Sequence, residues 1–180
     1  MIITITGLAA SGKSSVAKLL AKKIGFGHYS AGDAQREVAL EKEMTISELG
    51  DLESKDDSID RMIDERLEAV GKSKKNFVVD AWLGACFIPH AVKIFLEADI
   101  KTRVERRLGH KREEESFEDF NEARGTMEQR EETNRKRWLK FYNFDYTDRK
   151  NYDYTIKTDE LNQKQIADKI ITILKKDGRL

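Results

Sequence analysis

The chain's 180 residues suffice for one α/β domain with a sizeable core, and a single cysteine, Cys86, excludes an internal disulfide framework and predicts a reducing, cytoplasmic setting. Charged residues make up 37% of the chain, yet 33 Lys and Arg balance 33 Asp and Glu, which argues against a groove built to track nucleic acid. No apolar run nears the ~20 residues of a membrane span, and the first strand begins at the N-terminus, so neither a membrane partner nor a signal peptide is expected.

Ile2, Ile3 and Ile5 predict a short buried strand. It runs into Gly7-Leu8-Ala9-Ala10-Ser11-Gly12-Lys13-Ser14, the G-x-x-x-x-G-K-[ST] spacing of a phosphate-binding loop. Val16, Leu19, Leu20 and Ile24 follow at helical spacing and stop at Gly25, so the loop lies between a strand and a helix, where that chemistry needs it. Gly7 and Gly12 let the backbone turn tightly and approach a polyphosphate. From Gly7 to Ser15 the loop and the helix N-terminus offer their N–H groups to a nucleotide polyphosphate. Lys13 adds a mobile cation for the β- and γ-phosphates, and Ser14 a hydroxyl for Mg²⁺.

Phe26 to Tyr29 predicts a second strand, ending in Ser30-Ala31-Gly32-Asp33. Ligands gather beyond the carboxyl ends of strands in an open parallel sheet. Ser30, Gly32 and Asp33, with Arg36 one turn further, are therefore candidates for a second substrate. A helix N-cap at Ser30 or Asp33 with a solvated Arg36 is the structural alternative. Residues 34–70 read as charged helices, with Leu49 and Leu52 marking one and Ile59, Ile63, Leu67 and Val70 facing inward on the next. Arg61 and Arg66 either meet substrate or belong to a salt-bridged exposed face.

Phe77 to Asp80 is an apolar strand ending in an acid, and Asp80 either supports Mg²⁺ or caps the following loop. Val92 to Leu96 is another buried strand. Ile100, Val104 and Leu108 predict the apolar stripe of the next helix, with Arg103, Arg106 and Arg107 elsewhere on it. Lys111, Arg112 and Glu113 to Glu115 then predict a charged lid that closes over phosphates and excludes water. Residues 126–141 predict a long helix on which Arg130, Asn134 and Arg137 share one face. They either stabilise a transferring phosphoryl group or form a solvated face with i,i+4 pairs. Tyr154 to Lys157 is a last strand, and Ile166, Ile170, Ile173 and Leu174 stripe the final helix.

Five strands interleaved with helices predict a doubly wound parallel α/β sheet, covered on both faces, with the phosphate-binding P-loop after its first strand. The expected organisation is one domain over 1–180: a core of 1–30, 71–107 and 136–180, a substrate-binding insert at 31–70 and a lid at 108–135. The lack of an obvious exposed apolar stripe predicts a monomer.

On Gly7 to Ser14, Ser30 to Asp33 with Arg36, Val92 to Ala98, and Arg130 to Arg137, nearly the whole chain resembles the nucleoside monophosphate kinases, most of all the short archaeal cytidylate kinases. The resemblance implies transfer of the ATP γ-phosphoryl group to CMP or dCMP with Mg²⁺. It implies that Lys13 and its loop hold ATP, and that Ser30, Gly32 and Arg36 meet the monophosphate. It also implies that Arg106 belongs to the ATP-side lid, and Arg130 and Arg137 to the transfer and substrate face. Two positions depart from that pattern. Trp82 stands where the family carries a phosphate-contacting arginine, and its ring is free to stack on a base; Asn134 stands where the family places an acid facing the nucleoside. A P-loop kinase for another acceptor, such as AMP or a metabolite, and a nucleotide-binding non-enzyme are the alternatives. No Asn-Lys-x-Asp guanine-reading motif supports the last.

Overall fold

The computed structural model describes residues 1–53, 58–73, 76–109, 117 and 119–180, without the side chains of 47, 51 and 58–60. In chain order its elements are β1 (Ile2–Gly7), α1 (Lys13–Ile24), β2 (Gly27–Ser30), α2 (Ala31–Glu41), α3 (Ile46–Glu53), α4 (Ser58–Lys72) and β3 (Phe77–Asp80). There follow α5 (Gly84–Phe87), β4 (Val92–Glu97), α6 (Ile100–Gly109), α7 (Phe120–Tyr142), a 3₁₀ turn (Arg149–Asn151), β5 (Tyr154–Lys157) and α8 (Gln163–Lys176). The strands form one parallel sheet in the order β2-β3-β1-β4-β5.

The β-branched sequence of β1 suits the central strand of such a sheet, which is covered on both faces. Ile3 and Ile5 face one side, against Val16, Ala17 and Leu20 of α1 and Ile166, Ile170 and Leu174 of α8. On the other side Val79 joins Leu67 of α4, Leu83, Ile88, Trp138 of α7 and Tyr146. Each fully buried aliphatic side chain contributes roughly 1.5–3 kcal/mol. Of the two fully buried threonines of β1, Thr6 donates its hydroxyl to the Ala81 carbonyl at 2.9 Å, while the Thr4 hydroxyl has no hydrogen-bond partner among the described residues. Register pairs Ser30 and Ile5 with Asp80, and Gly7 with Leu96, so β2 and β3 end level with each other while β1 and β4 run on further to the same side. The chain leaves β1 towards β2 and β3, then crosses to β4 and β5. A crevice at such a reversal is where open α/β sheets take ligands.

Two helices differ from expectation. The stripe predicted for α6 holds at Val104, which is fully buried, but Leu108 is exposed and Arg103 turns inward instead. Arg103 is buried because Glu131 of α7 awaits it at 2.6 Å. Helix α7 begins at Phe120, well before residue 126, because Asp119 caps it: its carboxylate accepts from the N–H groups of Asn121 (2.7 Å) and Glu122 (2.9 Å). The added turns bury Ala123, beside Met127, against Val104 and Phe117. The inward face expected of Ile59 and the charged run from Lys111 to Glu115 lie outside the described residues.

Candidate active site

The turn between β1 and α1 is built by sterics. A Cβ on Gly7 would meet Ser11 Oγ at 2.5 Å and the Leu96 carbonyl at 2.6 Å, so only glycine lets the loop close on β4. Gly12 caps α1 at φ 94, and Ala10 also takes a left-handed φ of 58. Alternating right- and left-handed residues point successive N–H groups into one concavity, and the N-terminus of α1 adds its dipole. That concavity opens on a cavity of about 910 Å³ lined by Ala9 through Ser15. Lys13 Nζ lies 3.4 Å from the Leu8 carbonyl, folded back over its own loop.

The same cavity gathers most of the other predicted residues. Gly32 and Arg36 line it from α2, Asp80 from β3, Arg106 from α6, and Arg130, Asn134 and Arg137 from α7. Burial pushes the Arg130 guanidinium below its usual range, Glu53 opposes that shift, and the positive charges of Arg36 and Arg137 add to it. Three guanidiniums thus act on one another across a single space, a repulsion that Asp33 and Glu53 offset in part and that entering anions would offset further. Arg106 donates to Thr158 Oγ1 at 3.1 Å and to the Ser11 carbonyl at 3.4 Å, tying the phosphate loop to the end of β5.

Ser30 acts as the N-cap of α2, accepting from the Asp33 N–H at 3.2 Å, and its hydroxyl also lies 3.4 Å from Asp80 Oδ2. Asp33 holds Arg36 by an ion pair of 2.6 Å at the cavity's edge. Ser14 lines the cavity with Asp80. Asp80 is 3% exposed and makes no ion pair among the described residues. A buried carboxylate and a hydroxyl are hard oxygen donors, the kind that Mg²⁺ takes with phosphate oxygens. The donor set fits that ion. Arg61 is not brought to the cavity; it lies exposed on α4. Arg66 is also exposed there, 4.0 Å from Glu37.

Several groups at the site carried no sequence signal of their own. Glu53 is almost fully buried, takes two hydrogen bonds from Gln35 Nε2 (2.7 and 2.9 Å) and pairs with Arg137 at 3.3 Å. Asp64 lines the cavity beside Ile63 and Leu67 and accepts a hydrogen bond from the Tyr142 hydroxyl. Burial pushes its carboxyl up to about 6, against the Tyr142 hydrogen bond and the Arg137 charge. Glu131 takes the Ala9 N–H at 2.8 Å and Arg103 at 2.6 Å, while Arg103 also donates to the Ala9 carbonyl at 3.1 Å. The phosphate loop is thereby fastened to α7.

Residues 2–160 match the cytidylate kinase-like family. The chain belongs to that family. It is a nucleoside monophosphate kinase. It is 34% identical over 175 residues to the cytidylate kinase of Methanobrevibacter smithii, covering 97% of this chain and 99% of that one. With the cytidylate kinase of Methanosarcina barkeri it shares 36% over 171 residues, 93% of each chain. Among solved structures, shikimate kinase from Aquifex aeolicus superposes on it with a TM-score of 0.63 at 18% identity, over 99% of this chain and 98% of the other. At that identity the likeness is one of fold. The cavity in front of the phosphate loop is therefore the kinase's candidate active site, with polar walls from α2, α3 and α4 on one side and α6 and α7 on the other.

Proposed function

We propose that the kinase transfers the γ-phosphoryl group of ATP to the phosphate of CMP or dCMP. One observation carries this reading: Lys13, Arg36, Arg130 and Arg137 converge on a single cavity, more positive charge than one triphosphate tail needs. Two anionic substrates meeting end to end satisfy it. In this reading the loop from Gly7 to Ser15 and Lys13 hold the ATP phosphates, while Arg106 braces the loop. Gly32 and Arg36, with the Ser30 cap behind them, take the acceptor phosphate at the head of α2. Arg130 and Arg137 sit between the two. Ser14 and Asp80 are the residues that would hold Mg²⁺, which supplies charge neutralisation on the ATP phosphates when bound.

The reaction needs little covalent help. An oxygen of the acceptor phosphate, already ionised near neutral pH, attacks the γ-phosphorus. The bond to the β,γ-bridging oxygen breaks, and ADP leaves with that electron pair. No general base is required, so the work falls on alignment and on charge. Arg130 and Arg137 face the equatorial oxygens where charge spreads, and their fixed guanidiniums replace water that would otherwise accept the phosphoryl group. The choice of cytosine is supported by family membership. Asn134 and Gln35 line the acceptor side and can read a base edge with amide donors and acceptors.

A coupled ADP-release assay with Mg-ATP against CMP, dCMP, UMP, AMP and GMP tests the proposal. CMP or dCMP should show a kcat/KM at least about tenfold above the others, the scale of one good base contact. No ADP above background with all five would overturn it. A preference for another base would keep the reaction and move attention to Asn134.

A further inference from the structure

Trp82 lies one residue beyond β3, next to Ala81, which is lashed to β1 by its N–H to the Ile5 carbonyl (3.3 Å) and by the Thr6 hydroxyl on its own carbonyl (2.9 Å). The indole is fixed as firmly as its backbone. Its Nε1–H donates to the Gly7 carbonyl at 2.7 Å. Its ring stacks on Tyr146, with centroids 5.7 Å apart and planes 28° apart, and meets Trp138 edge-on at 5.5 Å. Tyr146 is fully buried and donates its hydroxyl to the Glu131 carbonyl at 3.2 Å. A three-ring stack therefore holds one indole at the cavity wall. Over that indole stand two cations: Lys13 Nζ at 5.2 Å and Arg130 Cζ at 5.4 Å from the ring centroid.

We propose that Trp82 is a positioning residue of the phosphoryl-transfer centre, a neutral aromatic rest that holds Lys13 and Arg130 in place and braces the first glycine of the phosphate loop. The chemistry asks for such a group. Two cations in one cavity repel each other before substrate arrives, and a face that attracts both holds them together. A carboxylate there would hold them too strongly and repel the incoming phosphates. An aromatic face attracts cations through its quadrupole yet carries no net charge, so phosphate oxygens can take the cations from it. The indole N–H on Gly7 adds a fixed point at the loop's tightest turn. The stack on Tyr146 gives the ring an occupant other than a substrate base, in contrast to the base-stacking role open to it in the sequence.

This inference rests on reading the Lys13–Arg130 cavity as the transfer centre, and its test separates the two. Trp82→Phe keeps a ring and drops the N–H; Trp82→Met keeps apolar bulk and drops both. With Mg-ATP and the preferred monophosphate, kcat should fall about threefold to tenfold in Trp82→Phe, the worth of one net hydrogen bond. It should fall a further tenfold or so in Trp82→Met, the worth of the ring face. KM for ATP should rise by less than kcat falls, because Arg130 acts at the transfer step and Lys13 is only one of the groups that hold ATP. Equal kcat in the two variants, or a loss wholly in KM, overturns the proposal. A second measurement covers a Trp82→Met that does not fold. In Trp138→Phe, Trp82 is the only tryptophan left, since the chain has two. Its emission should change when Mg-ATP binds and draws Lys13 off the ring. Binding seen by calorimetry with unchanged emission overturns the inference, even if the wild type phosphorylates no monophosphate and the transfer reading itself fails.

Discussion

Asp64 shows how one side chain can carry a cost that the rest of the fold tolerates. Its carboxyl has lost water, and the Tyr142 hydrogen bond and the Arg137 charge do not restore what burial removes, so its pKa rises from 3.8 to about 6. The folded state therefore binds a proton that the unfolded state has already released between those values. This group's contribution is fully present below about pH 4 and is lost as pH rises through 6. The loss amounts to about 2–3 kcal/mol at neutral pH. Asp64→Asn, which cannot ionise, should gain stability relative to wild type by about 2 kcal/mol between pH 4.5 and pH 7.5 in urea denaturation. A pH-independent difference between the two would show that Asp64 ionises at an ordinary pKa. Nothing in the sequence pointed to this residue: in Asp60 to Arg66 it looks like one charge in a solvated run, and its partners come from α7. The same holds for Glu53, whose ion pair with Arg137 spans 84 positions.

At the scale of elements, α7 ties the site together. The helical period placed Arg130, Asn134 and Arg137 on one face from sequence alone, and all three line the cavity. Arg130→Ala or Arg137→Ala should lower kcat by about 10²–10³-fold, the cost of removing a donor aimed at transition-state charge. Arg61→Ala, on the exposed side of α4, should stay within about twofold of wild type in the same ADP-release assay. The strand–loop–helix unit of β1 and α1 was equally legible, because its spacing is dictated by phosphate geometry. The Arg103–Glu131 pair was not legible, since an amphipathic stripe carries no sign that one of its arginines goes inside. Glu131→Ala would leave Arg103 buried without this carboxylate and release the Ala9 N–H. It should cost about 3–5 kcal/mol in chemical denaturation and lower turnover as well. Full stability in that variant would mean that the pair contributes nothing beyond its own desolvation.

For the molecule as a whole, the parallel order of the sheet explains why residues from α2, β3, α6 and α7 meet at all: carboxyl ends that share one edge of the sheet deliver each following segment to the same side. Among the described residues, seven Lys and Arg and two Asp line the cavity, an excess of five positive charges. The chain is neutral overall, so everywhere else acids outnumber bases by five. A nucleotide approaching the cavity mouth is drawn in, within a Debye length of roughly 8 Å at physiological salt. Raising ionic strength from about 0.05 to 0.5 M should slow nucleotide association in stopped-flow traces severalfold, with little change in the dissociation rate. The balance that made the composition look featureless therefore conceals a concentration of positive charge in one place, and that concentration gathers the substrates at their seat before any contact is made.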